Sequence, residues 1–355
     1  LKNIEINLIL TEILNLNMES KIFSIDSRIE FAQSILDNYL ELTENEGQLG
    51  TVNIEKFADG EMTVQFLEYV RGKKVFLVCS TSNSDNIMKL MLAADAARRA
   101  SASEIIAIMP YYGYARQDRK DGLRGAVGAR VVSTMLESMG VNRVISIDLH
   151  ADQIQGFFSI PVDHISGWNI FLPELEEMIK SNEITNVTLC SPDAGGVKRV
   201  NSFFKKLIGK EYDVQMAMFS KMRDKPNEIA RLDLIGDVKG RDVILIDDMV
   251  DTAGTLCGTA EEIMKAGAKS VRAIITHGIL SGPAVDRIMD SRLVEVITSD
   301  SLGTGDKEYF LEQGCYPKIK DLSKFRIVSC SKQIARIIKA VSEGQSADKL
   351  KEIVQ

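Results

Sequence analysis

The sequence predicts an α/β protein of two successive units, each a largely parallel sheet flanked by helices. Short unbroken apolar runs, such as residues 75–79 and 243–246, read as strands buried on both faces. Stretches with apolar residues at helical spacing, such as 86–100 and 256–266, separate them. A chain of 355 residues also exceeds what one small core organises.

Taken in order, residues 22–25 read as a strand and 29–40 as a helix. Asp59-Gly60 marks a turn. The alternation then runs strand 75–79, helix 86–100, strand 105–109, helix 131–139 and strand 144–147. A joint is expected between Phe158 and Pro173, with residues 160–164 extended. The second set is strand 187–190, helix 196–207, strand 214–219, strand 243–246, helix 256–266 and strands 271–276, 293–298 and 325–329.

A net charge of -7 excludes a nucleic-acid binder that relies on bulk electrostatics, but not a locally basic pocket for an anion. Five cysteines without paired spacing suggest a reducing compartment, hence a cytoplasmic protein, and no zinc site. Cys257, near a helix start, reads as a small buried residue rather than a thiolate. No apolar run reaches the length of a membrane span, and residues 1–17, interrupted by Glu5 and Glu12, do not read as a signal peptide. Those residues are expected to be a dispensable extension.

The richest stretch is Val243-Ile244-Leu245-Ile246-Asp247-Asp248-Met249-Val250-Asp251-Thr252-Ala253-Gly254-Thr255. A buried strand ends on two acids, and a loop of small and hydroxylated residues leads into a helix. Backbone N–H groups at the helix start, the Thr252 and Thr255 hydroxyls and the close approach allowed by Gly254 suit a phosphate dianion. Carboxylates would repel that anion. Asp247 and Asp248 suit instead the vicinal hydroxyls of a sugar, or a divalent cation shared with it. The run resembles the phosphoribosyl-binding loop of the phosphoribosyltransferase fold.

Three further motifs extend the resemblance: Tyr111-Tyr112-Gly113-Tyr114-Ala115-Arg116-Gln117-Asp118-Arg119-Lys120, then Asp148-Leu149-His150-Ala151-Asp152-Gln153, then Ser191-Pro192-Asp193-Ala194-Gly195-Gly196. With them the chain resembles the ribose-phosphate diphosphokinases over residues 21–283, and more loosely to 341. That resemblance implies tandem phosphoribosyltransferase-type domains at 18–165 (ATP side) and 166–341 (ribose 5-phosphate side), with a tail at 342–355. It implies transfer of the β,γ-diphosphoryl group of ATP to ribose 5-phosphate, with Mg2+, in a homo-oligomer of hexameric form; that neither nucleic acid nor membrane is a partner is the expectation from the charge and the apolar runs.

Residue by residue, the resemblance places Phe57, Asp59, Gly60, Glu61, Arg116 and Gln117 at ATP, and His150 and Asp193 at the metal. It places Asp247, Asp248, Asp251, Thr252, Ala253, Gly254, Thr255 and Arg223 at ribose 5-phosphate, and Lys221 with Arg223 at the transferring group. Residues 221–232 are expected to form a loop that closes over the substrates. The chain departs from the family at Met222, where the family has Arg, at residues 124–130, and in an apparent insertion at 302–322. The rival readings are a phosphoribosyltransferase, which needs no second α/β domain, and a non-catalytic regulatory homologue.

Overall fold

Continuous β-branched and aliphatic runs bury both faces of two separate sheets in the computed structural model, which describes residues 20–120, 122–222, 231–303 and 322–345. The chain divides into two units. One comprises the residues up to Ser166 together with those from Cys330 onward, and the other runs from Gly167 to Ser329.

The first unit holds β1 (Ser20–Ser24), α1 (Ile29–Thr43), a hairpin of β2 (Val52–Lys56) and β3 (Met62–Phe66), β4 (Lys74–Val78), α2 (Ser84–Arg99), β5 (Glu104–Met109), α3 (Gly128–Ser138), β6 (Arg143–Ile147) and β7 (Val162–Ile165). Its five-stranded sheet is parallel throughout, in the order β1-β4-β5-β6-β7. Register aligns Phe23, Leu77, Ala107, Val144 and Val162 in one row across the sheet. That row packs with Leu90, Met91 and Ala94 of α2 and with Val132 and Leu136 of α3. The β2–β3 hairpin joins through Phe66, whose ring meets Phe23 edge-on at 4.6 Å.

The second unit holds α4 (Trp168–Lys180), β8 (Val187–Ser191), α5 (Val197–Leu207), β9 (Val214–Met222), β10 (Arg231–Ile235), β11 (Asp242–Val250), α6 (Gly254–Lys265), β12 (Ser270–Gly278), α7 (Ala284–Asp290), β13 (Glu295–Ser299) and β14 (Phe325–Val328). Its seven-stranded sheet runs β10-β9-β8-β11-β12-β13-β14, and only β10 is antiparallel to its neighbour. From β8 the chain builds β9 on one side and later β11 on the other. The order therefore reverses between β8 and β11, the kind of switch point at which open α/β sheets take ligands, outside the carboxyl ends of the strands.

Two sequence expectations change. Helix α4 begins inside the stretch read as a joint and carries Pro173 in its second turn. The last helix, α8 (Ser331–Ser342), belongs to the first unit, not to the domain expected to run to 341. It packs on α1 and buries Ile334, Ile337 and Ile338 completely. Lysines cap the carboxyl ends of both helices: Lys339 Nζ donates to the Leu42 carbonyl of α1 at 2.6 Å, and Lys74 Nζ to the Val341 carbonyl of α8 at 2.8 Å. The extension at 1–17, the bulk of the insertion at 302–322 and most of the tail lie outside the described residues. Among the described residues no helix is long and apolar enough to cross a membrane.

Candidate functional site

In the second unit the strand ends at the reversal point carry the acidic residues. Beyond β8, Ser191 Oγ donates to the Asp193 carbonyl at 2.6 Å, and the Gly196 N–H donates to Asp193 Oδ1 at 3.0 Å. A Cβ on residue 196 would stand 2.6 Å from Ser191 Oγ and would displace that hydroxyl from its bond to Asp193. Asp193 is thereby fixed beside the start of α5.

On β11 the side chain of Asp247 is 30% exposed and that of Asp248 5%. The Asp248 N–H donates to Asp247 Oδ1 at 2.9 Å. Burial first, and the charge of Asp248 next, push the Asp247 carboxyl well above the ordinary carboxylate range, while Arg199 pulls it back. Arg199, on α5, has Nη1 3.6 Å from Oδ1 of each aspartate.

An acid whose folded-state pKa is raised keeps a proton that the unfolded chain releases. Stability then falls as pH rises from the ordinary carboxylate range through the raised value, and stays lower beyond it. Asp247→Asn is neutral at every pH and is expected to stabilise the protein near pH 7 by on the order of 1 kcal/mol, with little gain near pH 4. Chemical denaturation at the two pH values measures this; a variant less stable near neutrality would contradict it.

The loop after β11 contains a strained residue, and it is not the glycine. Ala253 adopts φ 59° as the N-cap of α6, and it is buried. Gly254 follows in helical conformation, and a Cβ there would meet only Arg287 Nη1, at 3.8 Å. Arg287 of α7 holds the loop by donating Nη1 to the Thr252 carbonyl at 2.8 Å. Thr252 and Thr255 are exposed beside the uncapped helix start, and Asp251 is half-buried.

Lys221 lies in β9, which runs past the last residue paired with β8 (Met218 with Ser191) and pairs Lys221 with Leu232 of β10. Residues 221 and 222, and 231 and 232, are thus strand rather than loop, and Arg223 lies outside the described residues.

In the first unit, Phe57, Asp59, Gly60 and Glu61 form the exposed tip of the β2–β3 hairpin. The Gly60 N–H donates to the Phe57 carbonyl at 2.9 Å, and the Glu61 N–H to Asp59 Oδ1 at 3.0 Å. A Lys56–Asp85 ion pair anchors this tip to the start of α2. Arg116 and Gln117 are exposed on the loop beyond β5, and His150 is exposed beyond β6. Gln153 Nε2 donates to Asp118 Oδ2 at 2.9 Å and ties these two loops together.

Beneath His150, Asp148 is held at φ 39° and the Leu149 N–H donates to His164 Nε2 at 2.9 Å. Because Nε2 accepts, the neutral His164 ring carries its proton on Nδ1, the atom nearest Asp152 and Gln155. Residue-level reading of the sequence missed His164, Arg199 and Arg287. Cys257, expected as a small buried residue, is half-buried, and burial raises its thiol rather than lowering it; burial likewise pushes Cys190 up to about 12.

Two parallel sheets with loops at their strand ends, one bearing an acidic pair ahead of a small-residue helix start, define a protein of tandem phosphoribosyltransferase-type units. Residues 20–140 match the model of the N-terminal domain of ribose phosphate pyrophosphokinase, and residues 174–308 that of the phosphoribosyl transferase domain. A ribose-phosphate pyrophosphokinase of Porphyromonas gingivalis is 44% identical over 299 residues, 84% of this chain and 88% of that protein. One from Campylobacter jejuni is 40% identical over 332 residues, 93% of this chain and 98% of that protein. The crystal structure of phosphoribosylpyrophosphate synthetase from Mycobacterium smegmatis superposes with a TM-score of 0.78 at 31% identity, covering 92% of this chain and 99% of that one. The chain belongs to the ribose-phosphate pyrophosphokinase family.

Proposed function

We propose that the chain transfers the β,γ-diphosphoryl group of ATP to the anomeric hydroxyl of ribose 5-phosphate, releasing AMP and 5-phosphoribosyl 1-diphosphate. The observation that carries this is the gathering, at the reversal point of the second sheet, of Asp193, the Asp247–Asp248 pair and the strained start of α6. The sugar's hydroxyls rest on Asp247 and Asp248, and its phosphate on residues 251–255. In the first unit Arg116 supplies a guanidinium fork for phosphate oxygens, Gln117 an amide for the adenine edge, and the Phe57 ring a stacking face.

The anomeric oxygen attacks the β-phosphorus in line, its proton passes to solvent, and the bond between the β-phosphorus and the oxygen bridging to the α-phosphate breaks, so that AMP departs with that oxygen. Lys221 and Arg223 stabilise charge developing on the phosphate oxygens, and no covalent intermediate is needed.

A divalent cation, magnesium in this reading, would neutralise the diphosphate when bound. It prefers oxygen, keeps its waters and takes one or two carboxylates plus phosphates. Asp193 suits that role better than His150, whose donor is nitrogen. Among the described residues no group of three or more His, Cys, Asp and Glu side chains could hold an ion, so substrate oxygens would complete the shell. A homo-oligomer, hexameric by resemblance, belongs to the same proposal and is checked by light scattering.

The test is a product assay with purified protein, magnesium, ATP and ribose 5-phosphate that resolves AMP from ADP. AMP formed in step with sugar consumption is expected. ADP, or nucleotide binding without turnover, would overturn the reading, the latter in favour of a regulatory homologue.

A further inference from the structure

Arg199 breaks a local rule. Helix α5 has Gly196 as its N-cap, so Lys198 and Arg199 occupy its first turn, where no acid is present. The aligned peptide dipoles make that end positive, and cations there are unfavourable. A local conflict of this kind marks a position selected for something other than the helix.

What Arg199 gains is on the neighbouring strand. Its side chain is 16% exposed, and Nη1 stands 3.6 Å from Oδ1 of both Asp247 and Asp248. Successive side chains of a regular strand point to opposite faces, yet here one oxygen from each of two consecutive residues meets the same nitrogen. The Asp248 N–H bond to Asp247 Oδ1 fixes the pair from the backbone side. Two adjacent carboxylates repel, and an intervening cation offsets that repulsion. At 3.6 Å the contact is charge pairing rather than a hydrogen bond.

We infer that Arg199 is a positioning residue for the sugar site: its guanidinium draws the two carboxylates together into one acceptor surface spaced for the vicinal hydroxyls of ribose 5-phosphate. Arg199 acts through the aspartates and need not touch the reacting atoms. This rests on the assignment of Asp247 and Asp248 to the sugar.

The test is steady-state kinetics on the full chain with ribose 5-phosphate and ATP varied in turn, for Arg199→Met, Arg199→Lys, Asp247→Asn and the Arg199→Met/Asp247→Asn double variant. Arg199→Met is expected to raise KM for ribose 5-phosphate by about tenfold to a hundredfold, as losses of supporting contacts do. KM for ATP should stay within about twofold, because only one substrate's binding surface is disturbed. Arg199→Lys should recover part of the loss, and adding Arg199→Met to Asp247→Asn should cost less than it does alone. An unchanged KM for the sugar, or an equal rise for both substrates, overturns the role of Arg199. If Asp247→Asn leaves KM for ribose 5-phosphate unchanged, the sugar assignment falls and this inference with it. A large effect of Asp247→Asn with a silent Arg199→Met removes the inference alone. Should Arg199→Met fail to fold, Arg199→Gln is judged by the same criteria.

Discussion

Replacing Lys221 with alanine is expected to lower kcat for AMP formation by about a thousandfold or more while KM for both substrates moves by less than about tenfold. In diphosphoryl transfer the protein supplies position and charge rather than a covalent partner. A cation matched to the charge that develops on the phosphate oxygens acts mostly in the transition state. The fold supports such a role for residue 221. β9 outruns the end of β8 and is stiffened there by its antiparallel partner β10, so the backbone that carries Lys221 projects beyond the sheet from a two-stranded ribbon. Single-turnover measurements separate the chemical step from product release. A variant whose single-turnover rate stays within about tenfold of wild type would remove Lys221 from the chemistry.

Gly113→Ala is expected to cost about 2–4 kcal/mol of stability and to raise KM for ATP by up to about a hundredfold. Its N–H donates to Thr81 Oγ1 at 2.8 Å, and the Thr81 N–H donates to the Tyr111 carbonyl at 3.1 Å, so the two loops are clamped through the hydroxyl and the main chain of Thr81. A Cβ on residue 113 would stand 2.0 Å from the Thr81 carbonyl oxygen. That atom is main chain and has no rotamer into which it can retreat. The loop must lift, carrying with it Arg116 and Gln117, which follow within four residues. Denaturation midpoints and KM for ATP measure the two effects. Wild-type values for both would show that the clamp is looser than the distances indicate.

Strands were legible because buried parallel strands read as unbroken apolar runs, and ten of those named in sequence lie within a few residues of their observed positions. Helix α4 was obscured by Pro173, which local rules place outside a helix interior. The membership of α8 in the first unit could not be read, since its contacts with α1 span most of the chain and leave no periodic trace.

The site divides in the same way. Asp247, Asp248 and the small-residue loop are read from type and spacing, and Asp193 from the resemblance alone. His164, Arg199 and Arg287 act on partners 15, 48 to 49 and 35 residues away, and single-sequence patterns do not report such distances. Arg199 alone left a signal, as a cation in the wrong turn of its helix. Nor did the sequence announce the left-handed backbone of Ala253, since alanine gives no signal for it.

The return of α8 to α1 gives the ribosome's timetable a structural meaning. The second unit is encoded entirely between Ser166 and Cys330, so every segment it needs emerges before the first unit has its last helix. At about 5–20 residues per second, the apolar surface of α1, with Ile35 and Leu36 at its centre, waits roughly 15–60 seconds for its cover. The part translated first is therefore the part completed last, and nascent chains stalled before residue 331 carry every segment of the second unit, yet have an N-terminal half that still exposes its α1 face to chaperones.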